Sequence, residues 1–162
     1  MPSPRLHETV IADRIVELIN GLSADLNLKV ITVGALEFFP ALEQLGENVP
    51  AVFVKPSPST NLERITTGQT YRIVYNFRIV FVSVFAPNEE IIREKTVRTQ
   101  KIAELLIDNV DLGGLALPNG QILFSTLKSI EWEPPEDNLV ASVNADMTAA
   151  ALVFTVETSS RK

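Results

Sequence analysis

The residues able to do chemistry are few, and their spacing does not suit it. His7 is the only histidine of the 162 residues, and the chain has no cysteine. The usual thiolate–imidazole set for zinc is therefore excluded. A Ser-His-acid triad would have to use an imidazole at the very start of the first predicted helix, where a buried, oriented ring is hardest to provide. Carboxylates are more plentiful. Glu131 and Glu133 would share one face of a strand about 7 Å apart, a separation a glycosidase could use. However, Trp132 points to the other face and Pro134-Pro135 follows at once, so a solvated strand end is the preferred reading. Glu133, Glu136 and Asp137 lack the spacing of a calcium loop. Gly34 and Gly113-Gly114 lack the glycine and lysine pattern of a phosphate loop. The expectation is a protein without catalytic residues, cofactor or metal, and not an enzyme.

Apolar residues make up 46% and charged residues 21%, the balance of an ordinary globular chain. No apolar run approaches the ~20 residues of a membrane span, so no membrane role is expected. The start, MPSPRLHET, has no segment of signal-peptide type. The absence of cysteine removes a disulfide framework and gives no sign of a chain built for export. The net charge is −6, which disfavours a reader of phosphate backbones unless its bases cluster. They cluster mildly: residues 89–101 net +1, whereas residues 104–146 carry eight acids against Lys128, a net of −7. One domain over residues 1–162 is expected, with an N-terminal arm at 1–5 and a frayed polar tail at 158–162.

Whatever the function, one stretch must organise the fold. Thr70–Ala86, TYRIVYNFRIVFVSVFA, has no proline, glycine or acid. Its odd positions, Tyr71, Ile73, Tyr75, Phe77, Ile79, Phe81, Ser83 and Phe85, form a largely aromatic face. Its even positions are mostly polar first (Arg72, Val74, Asn76, Arg78) and valine later (Val80, Val82, Val84). That pattern predicts a strand exposed on one face early and buried on both faces late. Seventeen residues at roughly 3.3 Å span about 56 Å, whereas a compact chain of this length is about 40 Å across. The strand is therefore expected to bend, to break at a bulge or to overhang its core.

The elements around it follow from periodicity. Val10, Ile11, Ile15, Leu18, Ile19 and Leu22 recur at three and four, predicting an amphipathic helix from about Leu6 to Leu22. Lys29–Val33 and Ala51–Lys55 are short β-branched strands. Pro56–Gln69 reads as a long polar loop, the tip of an antiparallel hairpin, and loops of that length bind something or stay mobile. Asn88 caps a second helix, running to about Asn109, with Glu89 and Glu90 in its first turn. Gln121–Glu133 is a strand or a strand pair broken near Lys128, and Met147–Val156 is a strand. The fold class expected is α+β, a single domain of mainly antiparallel β-sheet with a long bent central strand, covered by two α-helices.

The opening helix IADRIVELINGL, the strand AVFVKP with its polar loop, the strand TYRIVYNFRIVFVSVF and the helix ending IAELLIDNV occur in an order that resembles the tail terminator, or tail completion, proteins of long-tailed bacteriophages. The resemblance spans about Leu6 to Glu157. It implies a homo-oligomeric ring, usually a hexamer, capping the tail tube and joining it to the neck and head complex. It further implies a virion protein at the tail–neck junction, assembled in the host cytoplasm, with viral DNA passing through without specific binding. Other phage neck or connector proteins share the layout, and a small module that binds peptides at a β-edge is the rival class. Under the ring reading, Arg93, Arg98 and Lys101 are candidates for subunit contacts, with Arg72 and Arg78 second. Glu131, Glu133, Glu136 and Asp137 are candidates for an acidic lumen lining.

Overall fold

Alternation in the long central stretch becomes a sheet with one helix-covered face. The computed structural model describes residues 7–33, 50–56, 61–64, 70–84, 89–132 and 147–161. The helices are α1 (Glu8–Asn20), the single turn α2 (Ser23–Leu26) and α3 (Glu89–Asp108). The strands are β1 (Val30–Val33), β2 (Ala51–Pro56), β3 (Asn61–Arg64), β4 (Thr70–Val84), β5 (Gly120–Glu131) and β6 (Met147–Arg161). They form one six-stranded sheet in the order β1-β2-β4-β6-β5, with β3 also on β4. Among these strands every pairing is antiparallel except β1 with β2. The fold is thus the expected single α+β domain.

β4 is the centre of it. All fifteen of its residues pair with β6 without a register shift, from Thr70 opposite Arg161 to Val84 opposite Met147. At roughly 3.3 Å per residue the pair is about 50 Å long. The expected break is therefore not in this strand. The irregularities fall instead on β5, whose register slips at Leu123 and again at Lys128. The slip at Lys128 is where the sequence suggested a broken strand.

Tyr75, Phe77, Ile79 and Phe81 of β4, with Leu152, Phe154 and Val156 of β6, are buried against Ile11, Ile15 and Ile19 of α1 and Ile102 and Leu106 of α3. Both helices therefore lie on the odd face of β4. Deleting one of these rings, as in Phe77→Ala, should cost about 3–5 kcal/mol. On the opposite face Arg72, Val74, Asn76 and Arg78 are half-buried, whereas Val80 and Val82 are buried together with Ala51, Phe53 and Ala151. The polar-then-valine pattern is thus a face that passes from solvent to interior along one strand.

Two expectations change. The segment Pro56–Gln69 is not all loop, because Asn61–Arg64 pair with Val74–Tyr71 of β4. β2 and β3 run in the same direction along the same edge of β4. From Pro56 to Asn61 the chain advances five residues while β4 advances three, from Phe77 to Val74, so two residues are extra there. The second change is at the C-terminus. Thr158, Ser159, Ser160 and Arg161 are paired with β4 rather than frayed, and Thr158 and Ser160 are buried. Their polarity misleads because the Thr158 hydroxyl donates to the Ile73 carbonyl at 3.2 Å, a bond that lets a threonine sit inside. The arm at 1–5 lies outside the described residues.

Candidate assembly surfaces

The five candidate bases separate by whether their charge is already matched within the chain. Arg72 and Glu157 sit diagonally across β4 and β6 on the polar face and form an ion pair. Arg78 Nη2 donates to Glu131 Oε2 at 3.0 Å, bridging β4 to β5 across β6. A base expected at a subunit contact and an acid expected in a lumen are therefore partners within one subunit. Thr155 Oγ1 donates to Asn76 Oδ1 at 3.1 Å in the same row, so this half of the sheet is a connected polar strip. Glu133, Glu136 and Asp137 lie outside the described residues.

The other three bases are on α3. Arg98 lies 3.9 Å from Glu94 one turn earlier, a loose surface pair. Arg93 and Lys101 are exposed and, among the described residues, in no ion pair. The same holds for the exposed acids Glu104, Asp108 and Asp111 at the other end of the helix. Lys95 differs from its neighbours. It is buried, and its amine donates to the Trp132 carbonyl at 2.9 Å, fastening the first half of α3 to the end of β5. Its charge groups it in the sequence with a solvated face. The signal to the contrary is its place in the series Lys95, Thr99, Ile102, Leu106, all on the buried line.

A second tie has no mark in the sequence. After α3 the chain turns through Leu112, Gly113 and Gly114, all with positive φ (55°, 68° and 77°). Arg14 of α1 holds that turn, Nε donating to the Leu112 carbonyl at 2.9 Å and Nη2 to the Gly113 carbonyl at 3.2 Å. A Cβ at Gly113 would stand 2.6 Å from Arg14 Nη2. Periodicity puts Arg14 on the solvent side of its helix and cannot reveal a partner almost a hundred residues away. At the start of α1 the His7 amide donates to the Tyr75 hydroxyl at 3.0 Å. Burial pushes the Tyr75 phenol above its ordinary value of 10.0, the Glu8 charge adding to it and hydrogen bonds with His7 and Thr158 opposing it.

The outer edge of β5 is built against pairing. It carries two bulges and the exposed Lys128, both of which blunt an edge strand. Leu123 sits in the first bulge and is exposed, as is Phe124 beside it on the polar face. Among the described residues no group of three histidines, aspartates or glutamates is placed to hold a metal ion. No described helix is long and apolar enough to cross a membrane.

The fold defined by this sheet and its two covering helices has a counterpart among solved structures. The chain is similar to one in a structure described as "Virion of native gene transfer agent (GTA) particle", with a TM-score of 0.56 and 14% sequence identity. The likeness covers 91% of this chain and 93% of that one. At that identity it is a likeness of fold, and it extends over nearly all of both chains. No family model matches the sequence, and no curated protein matches it.

Proposed function

We propose that the chain is a structural subunit of a phage-like particle, a ring-forming protein of the tail terminator type that caps the tail tube and joins it to the neck. The observation that carries this reading is the near full-length likeness of fold to a chain of a gene transfer agent virion. The order of elements along the sequence, which resembles that of tail completion proteins, supports the same class independently. In this reading the subunit assembles with copies of itself, with tube and neck proteins, and resides in the virion. It has no catalytic task. Its one histidine lies buried beside the first turn of α1, where its amide positions that helix on Tyr75.

The rival, a module that binds peptides along a sheet edge, loses support from β5. An edge built to accept a strand is regular, whereas this one is bulged twice and guarded by Lys128. A native mass measurement tests the ring. The proposal expects an assembly of several copies, six if the ring follows its class. A strict monomer at high concentration that leaves tail tubes unbound would contradict it.

A further inference from the structure

We draw no further inference here: the strongest candidate, the exposed patch at the C-terminal end of α3 where Ile107 and Val110 stand among the carboxylates of Glu104, Asp108 and Asp111, carries nothing, because nothing among the described residues shows what covers it.

Discussion

At Tyr75 one hydroxyl joins three elements, accepting from the His7 amide at the head of α1 while lying under Thr158 of β6. Removing it with Tyr75→Phe should cost about 1 kcal/mol, the worth of a buried hydrogen bond, with the ring itself still packed. The pH dependence has a definite sign. The folded-state phenol is raised above its unfolded value, so its stabilising contribution is complete below about pH 10 and is lost as pH rises through the folded value. Denaturant melts between about pH 8 and 11 should therefore show the wild type losing more stability than Tyr75→Phe at the alkaline end. Gly113 is the second residue with a defined penalty. Gly113→Ala places a Cβ against Arg14 Nη2 and strains a positive φ, so a loss of about 1–2 kcal/mol is expected in the same melts. Arg14→Met should lose a comparable amount by freeing the two carbonyls it holds.

Among the elements, the β2–β3 arm gives the plainest check. Asn61–Arg64 pair with β4 inside one subunit. The alternate amides of this segment that point at β4 should show slowed hydrogen exchange in the isolated chain, and exchange of all four as fast as an unstructured peptide would contradict the pairing. In the sequence the whole of Pro56–Gln69 reads as a loop because NLER has no β-branched residue and no alternation. β3 is a strand because β4 is long enough to offer it an edge, which is a tertiary cause invisible in four residues. The same cause explains the tail, where ETSSR looks frayed but is held by the first half of β4. Elements whose pattern is strong are legible. α1 and α3 show their apolar stripes, and β4 shows both its alternation and the point where its second face becomes interior. The sites are less legible, because a charge's partner depends on register. Arg72 and Arg78 read as available bases until β6 and β5 place Glu157 and Glu131 beside them. Charge reversal of Glu157 or Glu131 should therefore act on the fold itself, by about 1 kcal/mol or more, because one partner of each pair is largely shielded from solvent.

For the molecule as a whole, charge bears on what the assembly can do with DNA. In the proposed ring of six, copies of −6 would give about −36, an assembly that would repel phosphate unless its bases faced the channel. With Arg72 and Arg78 matched by acids of their own chain, the assembly proposed above should let duplex DNA slide rather than grip it. Neutralising Glu136 and Asp137, the proposed lining, should leave assembly intact and raise affinity for duplex DNA in a filter-binding titration at low salt. Tight binding by the wild type at physiological salt would argue instead for a neck role that holds the DNA. A ring at the end of a tail tube can be seen by electron cryomicroscopy of the purified protein mixed with tail tubes. The expected image is a ring of density closing one end of each tube, with an open channel continuous with the tube's own. Tubes with both ends bare, beside protein that remains monomeric at every concentration, would contradict it.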